Sequence, residues 1–220
     1  MTPSASQHAG LFITLEGGEG VGKSTQSRRL KEFLEGRGRE VVLTREPGGT
    51  PEAERVRDLL AQRDGGHWTP MAECLLLFAA RQMHVETLIK PSVSAGKIVI
   101  CDRFTDSTRA YQGYGYGFSH EVIEQLNMIS IGGYSPDITL ILDLPVELGL
   151  ERSFAQKEKS IGREATEDRF ERMDKSFHEK LRQGFLDIAQ ENPARCKVID
   201  ATQSPDVIFD SIKKVLGYAV

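Results

Sequence analysis

Residues 17–24 read Gly-Gly-Glu-Gly-Val-Gly-Lys-Ser, which fits the spacing G-x-x-x-x-G-K-[ST] at every fixed position. The residue types dictate the chemistry. Glycines let successive backbone N–H groups turn inward around a polyphosphate, and a helix starting near Gly22 adds the positive end of its dipole. The cradle would comprise Gly17, Gly18, Glu19, Gly20, Val21, Gly22, Lys23, Ser24 and Thr25. Lys23 would reach the β- and γ-phosphates of a nucleoside triphosphate as a point charge, and the Ser24 hydroxyl would ligate the Mg²⁺ that bridges them. A Gly-rich turn capping an ordinary helix would carry similar letters. Here an apolar run, Phe12 to Leu15, precedes the loop, and an amphipathic pattern with Leu30, Phe33 and Leu34 follows it.

Further along, Ile100-Cys101-Asp102-Arg103 ends an apolar run in an aspartate. Asp102 could hold Mg²⁺ directly or through water, or simply cap the next loop, and Arg103 beside it could clamp phosphate. Residues 44–50, Thr-Arg-Glu-Pro-Gly-Gly-Thr, form a second Gly-rich loop carrying Arg45. A planar guanidinium fork suits a monophosphate. Two anion-binding loops point to two phosphorylated ligands, which is a kinase-like arrangement.

These groups need a frame, and the hydrophobic pattern supplies one. Short apolar strands (around Phe12–Leu15, Glu40–Thr44, Lys97–Cys101, Ile138–Leu142 and Lys197–Ile199) alternate with helical patterns. The helices are expected over Glu52–Gln62, Pro70–Ala95 with Pro91 kinking or ending it, Glu121–Ile131, Asp168–Ala189 and Pro205–Leu216. This is the pattern of an α/β fold with a parallel sheet covered by helices on both faces. Each strand runs apolar and then ends in chemistry, at Glu16, Arg45, Asp102, Asp143 and Asp200, so these residues should share one rim of the sheet.

Composition narrows the functional classes. A formal net charge of −4 recommends neither a nucleic-acid nor a membrane surface as partner. Three cysteines, Cys74, Cys101 and Cys196, lie far apart without zinc spacing, which suits a reducing, cytoplasmic setting. Residues 1–10 read as a loose tail rather than a secretion signal, and residues 11–220 as a single domain. The histidines show no ligand spacing.

Residues 102–113, Asp-Arg-Phe-Thr-Asp-Ser-Thr-Arg-Ala-Tyr-Gln-Gly, taken with residues 45–50 and the Glu-bearing phosphate loop, resemble the thymidylate kinase family, bacterial type. The likeness runs from Leu11 onward and includes residues 85–91 and 199–203. The resemblance implies a P-loop kinase-type three-layer sandwich with a central five-stranded parallel sheet and a mobile lid. It further implies Mg²⁺- and ATP-dependent phosphorylation of dTMP to dTDP by in-line transfer, small-molecule partners only, and a homodimer. By the same resemblance Arg45 binds the dTMP phosphate and Arg103 lies between acceptor and donor phosphates. Glu19 accepts from the 3′-hydroxyl, Tyr111 packs on the deoxyribose and excludes a 2′-hydroxyl, Ser107 and Gln112 line the nucleoside pocket, and Arg81 reads the thymine O4. The family's thymine-stacking Phe, four residues before that arginine, is Leu77 here and is followed by Phe78. Either the Phe78 ring stacks on the base or Leu77 supplies an apolar floor. Residues 152–169 resemble the lid. Because Gly20 stands where another type of the family carries an arginine, the lid must bring the cation that meets the transferring phosphoryl group. Arg152, Arg163 and Arg169 are candidates, Arg152 and Arg163 foremost, with Lys157 and Lys159 behind them.

Two other readings compete. A kinase for a different small acceptor would share the phosphate loop and differ in the acceptor motif. A GTPase-type switch would need N-K-x-D and a D-x-x-G after a strand, and neither is present.

Overall fold

The computed structural model describes residues 9–61, 66–159 and 169–218. Among them, β1 (Leu11–Glu16), β2 (Val41–Arg45), β3 (Ile98–Asp102), β4 (Ile138–Asp143) and β5 (Cys196–Asp200) form one sheet in the order β2-β3-β1-β4-β5. All four pairings are parallel, as crossover helices require. The register aligns the polar ends. Leu15 and Arg45 both lie opposite Asp102, and Asp143 lies opposite Asp200. Because β1 and β3 are buried along nearly their whole length, their apolar residues run unbroken rather than alternating.

Nine α-helical segments cover the sheet among the described residues: α1 (Lys23–Glu35), α2 (Pro51–Ala61), α3 (Pro70–His84), α4 (Lys90–Ser94), α5 (Thr105–Thr108), α6 (His120–Ile131), α7 (Val146–Lys157), α8 (Lys175–Glu191) and α9 (Pro205–Val215). On one face, Leu30 and Leu34 of α1 pack with Ile208 and Ile212 of α9 against Ile13, Leu15 and Leu140. On the other, Phe177, Leu181, Phe185 and Ile188 of α8 meet Tyr111 and Ile141, while Phe12, Val85, Ile89 and Phe104 fill the space beyond β1. No described helix is long and apolar enough to cross a membrane.

Two expectations are corrected by the backbone. The helix expected over 70–95 is interrupted by a π-helical segment at Val85–Ile89, where the Lys90 N–H reaches back to the Val85 carbonyl. That wider turn lets Pro91, which lacks an N–H, sit in the first turn of α4 instead of ending the helix. The last long helix starts at Lys175 rather than 168, because Asp174 caps it by accepting from the Phe177 N–H at 2.8 Å. Of the expected loose tail, residues 1–8 lie outside the described residues. Ala9 is exposed, and its carbonyl accepts from Arg39 at 3.0 Å.

Candidate active site

Strand β1 turns at Gly17 into the phosphate loop, and Gly20 and Gly22 take φ values of 66° and 97° that a β-carbon would resist. Gly20 has a second constraint, because a β-carbon there would overlap the Gly149 carbonyl of α7. The loop therefore packs against α7 too closely to carry an arginine side chain at that position. Lys23, 7% exposed, donates to the carbonyls of Gly17 (3.1 Å) and Gly18 (2.7 Å). Burial, with Arg103 nearby, pushes its ammonium pKa down. At the mouth of the loop the Ser24 hydroxyl donates to Asp102 Oδ2 at 2.9 Å, so the two residues expected to hold Mg²⁺ are in contact.

Two cavities meet at this loop. The larger, of about 490 Å³, is bounded by Gly20 to Thr25, Arg45, Asp102 and Arg103. The smaller, of about 170 Å³, lies between α3 and the 103–112 segment and is bounded by Leu77, Arg81, Ser107, Tyr111 and Gln112. Both include Glu19, Glu46, Arg57, Arg103, Lys157 and Glu171, so they adjoin along these shared residues. One space is polar and lined by cations, and its neighbour is narrower and carries aromatic rings.

Glu19 is the junction. Its Oε1 accepts from Arg103 Nη2 at 2.9 Å and, by a short hydrogen bond, from the Tyr111 hydroxyl. Burial pushes the Glu19 carboxyl up, but Arg103, Lys23 and the Tyr111 hydroxyl outweigh that and hold its pKa at about 2. Arg103 takes a left-handed φ of 71°, which turns its side chain back over the loop to donate to the Gly17 carbonyl at 3.1 Å. Its guanidinium lies 4.9 Å from the centre of the Tyr111 ring. The second Gly-rich loop presents Arg45 to the larger cavity, half-exposed and 3.3 Å from Glu54.

Behind these residues lies a set of buried carboxylates whose role the motifs did not reveal. Glu46, 4% exposed, accepts from Arg81 Nε at 2.7 Å and pairs with His84 Nδ1 at 3.0 Å, while His84 Nε2 meets Thr44 Oγ1 at 2.8 Å. His84 is thus a satisfied core histidine. Arg81 Nη2 donates to the Phe104 carbonyl and to Thr108 Oγ1, leaving Nη1 buried without a partner in the structure. Glu73 accepts from Gln112 Nε2 at 2.7 Å. Glu16, fully buried at the end of β1, accepts from the Phe104 N–H at 2.7 Å and from the Ser107 hydroxyl at 2.5 Å. Burial and the nearby Asp106 push the Glu16 pKa up to about 8. Glu16 was visible in the sequence as a rim residue and Glu46 as part of the second Gly-rich loop, but only side-chain geometry shows what they hold.

Several expected site residues stand elsewhere. Phe78 does not line the smaller cavity; it is 2% exposed and packs on Cys74 and Ile123. The reason is helical spacing: Leu77, four residues before Arg81, shares its face, and Phe78 is turned about 100° away. The Phe78 ring instead supports the Arg81 guanidinium at 4.8 Å. The rings that do line the cavity are Phe104, Tyr111 and Phe170. Arg152 turns away from the phosphate loop and donates to the Ala201 carbonyl at 3.1 Å, because Ser153, Gln156 and Lys157 occupy the cavity side of α7. Arg163 lies outside the described residues. Arg169 donates to the Leu60 carbonyl (3.1 Å) and to Glu73 (2.6 Å), which ties it to α2 and α3. Lys157, ranked behind the arginines, lines both cavities and sits 3.5 Å from Glu171.

A family model described as thymidylate kinase matches residues 15–212. The chain is 48% identical over 207 residues to the thymidylate kinase of Caulobacter vibrioides, covering 94% of this chain and 96% of that protein. It is 47% identical over 202 residues to the thymidylate kinase of Syntrophotalea carbinolica, covering 92% and 93% respectively. The crystal structure of thymidylate kinase from Ehrlichia chaffeensis superimposes with a TM-score of 0.75 at 40% identity, over 95% of this chain and 99% of that one.

Proposed function

This chain belongs to the thymidylate kinase family and uses ATP to phosphorylate dTMP to dTDP, and from that premise we propose how its residues divide the reaction. The ATP phosphates lie along residues 17–25, where Lys23 exchanges the Gly17 and Gly18 carbonyls for β- and γ-phosphate oxygens. The dTMP phosphate faces Arg45 and Arg103, its sugar lies on Tyr111 with the 3′-hydroxyl toward Glu19, and its base enters the smaller cavity beside Leu77, Arg81, Ser107 and Gln112. The observation that carries this reading is that the two cavities adjoin and share Glu19 and Arg103 on their linings, which supports donor and acceptor phosphates lying end to end.

Little acid–base work is needed. Arg103, held by Glu19 and by the Gly17 carbonyl, neutralises charge between the two phosphates without having to reorganise. Lys157 faces this site from α7, and a lid arginine, Arg163 foremost, would add a second cation. The Ser24 hydroxyl and the Asp102 carboxylate match the donor set of Mg²⁺, which takes one or two carboxylates and fills its remaining positions with phosphate oxygens and water. Bound there, the ion would neutralise charge on the β- and γ-phosphates. Among the described residues no cluster of three acidic, histidine or cysteine side chains offers a rival metal site.

The protein acts as a homodimer in the cytoplasm. Leu59 on α2, Met71 and Leu75 on α3, and Met128 and Ile129 on α6 expose large apolar side chains on helices that pack together, a surface suited to a second copy. All three cysteines are free and buried, in keeping with a reducing compartment. A coupled ADP-release assay with and without dTMP tests the catalytic reading. ADP release should depend on dTMP and on Mg²⁺; release without dTMP, or with a deoxynucleoside in its place, would overturn it.

A further inference from the structure

Glu73, Leu77 and Arg81 recur at intervals of four along α3, so they share one helix face, and all three border the smaller cavity. Glu73 is 1% exposed. Its Oε1 accepts from Gln112 Nε2 at 2.7 Å and its Oε2 from Arg169 Nη2 at 2.6 Å. Both oxygens are therefore engaged by protein donors.

Gln112, 2% exposed, has an amide whose two ends are nearly alike in shape and opposite in hydrogen-bonding sense. A carboxylate beside it removes the ambiguity, because a carboxylate only accepts. The amide nitrogen must face Glu73. We propose that Glu73 is a specificity-determining positioning residue, which turns the Gln112 oxygen into the acceptor-base cavity by holding the Gln112 nitrogen. The inference rests on the reading of that cavity as the base pocket.

The consequence is a wall with a fixed polarity. Arg81, which borders the same cavity, can only donate, and the Gln112 oxygen can only accept. A thymine or uracil edge offers a carbonyl oxygen at C4 and an N–H at N3, complementary to both. A cytosine edge offers an amino group and a bare ring nitrogen, mismatched at both. Sites that leave a buried polar group unpaired with the wrong ligand discriminate far more strongly than sites that differ by a methyl group.

The test compares dTMP with 5-methyl-dCMP, which keeps the methyl group and changes only the hydrogen-bonding edge. In Glu73→Leu, the kcat/KM preference for dTMP should fall about tenfold or more, with the KM for ATP within about twofold of wild type. Gln112→Glu should raise the KM for dTMP on the order of a hundredfold, since two carboxylates then face each other. The double variant Glu73→Gln with Gln112→Glu restores a donor–acceptor pair with the roles exchanged, and it should recover at least about tenfold of that loss. The double variant also serves if Glu73→Leu fails to fold. A folded Glu73→Leu with wild-type preference, or a folded double variant no better than Gln112→Glu alone, overturns the proposal. A wild-type protein inactive on dTMP would instead overturn the assignment of the cavity, so the two failures are distinguishable.

Discussion

The phosphate loop and the acceptor wall face each other across Glu19, and they are built on different plans. The loop is one contiguous run, residues 17–25, in which backbone amides, glycine φ values and a helix N-terminus do the binding. The acceptor wall takes Glu46, Glu73, Arg81, Arg103, Ser107, Tyr111 and Gln112 from three separate parts of the chain, and nearly every ligand-facing group leans on a buried carboxylate. A site made of backbone can be specified locally. A site made of long side chains needs partners that lock each rotamer, and those partners are distant in sequence.

The largest expected effect attacks the loop. Lys23 is the charged side chain contributed by the fixed positions of the motif, so Lys23→Ala should lower kcat by roughly 10²–10³-fold, the scale seen when one preorganised charge-stabilising donor is removed. Steady-state kinetics at saturating ATP and dTMP measure it. A kcat within a few-fold of wild type would mean that the backbone alone carries the loop.

Next comes a blow to the acceptor wall. Glu46→Ala leaves the 2%-exposed Arg81 without its carboxylate, and breaking a buried pair from one side costs about 3–5 kcal/mol. For a domain of this size each kcal/mol shifts Tm by roughly 2–4 °C, so thermal denaturation should show a fall of about 6–20 °C. A Tm within 2 °C or so of wild type would mean that the carboxylates behind the wall are dispensable, and the contrast between the regions would dissolve.

A smaller effect separates the two ligands. Arg45 is half-exposed and faces the cavity where the acceptor phosphate is placed. A charged hydrogen bond there is worth about 1.5–3 kcal/mol, so Arg45→Ala should raise the KM for dTMP by roughly ten- to a hundredfold and leave the KM for ATP nearly unchanged. The reverse pattern would exchange the donor and acceptor sides.

This contrast also explains what could be read from the sequence. The strand pattern gave the parallel five-stranded order its elements, and the loop motif announced the phosphate cradle, because both depend on neighbours in the chain. Arg45 and Arg103 were legible as phosphate clamps beside the sheet rim, whereas Arg81 and Tyr111 were reached only through resemblance. Between Phe78 and Leu77 the sequence left the choice open, and only the helix face, on which the two differ by about 100°, puts Leu77 rather than Phe78 on the cavity. The choice among the lid cations was open in the same way, and in the fold Ser153, Gln156 and Lys157 rather than Arg152 take the cavity face of α7. Glu73 was invisible as a site residue: a glutamate in the first turn of a helix reads as a favourable partner for the helix dipole, and only the fold brings Gln112 to it.

Glu16 sharpens the comparison from the boundary itself, because it ends the strand that feeds the phosphate loop while gripping Phe104 and Ser107 on the acceptor side. Its effect should appear as a slope rather than a loss. With a pKa of about 8 in the folded protein against 4.5 for the free side chain, native Glu16 keeps its proton over a pH range in which the unfolded chain has released it. Between those values the native state binds more protons, so its contribution to stability is fully present below about pH 4.5 and is lost as pH rises through about 8. Glu16→Gln, neutral at every pH, should remove that slope, so its stability relative to wild type should improve steadily from pH 5 to pH 8 in denaturant titrations. Parallel curves for the two proteins would show that Glu16 is ionised in the folded state. The link between loop and acceptor wall would then be a charged one, held by the Phe104 N–H, Ser107 and the nearby Arg103.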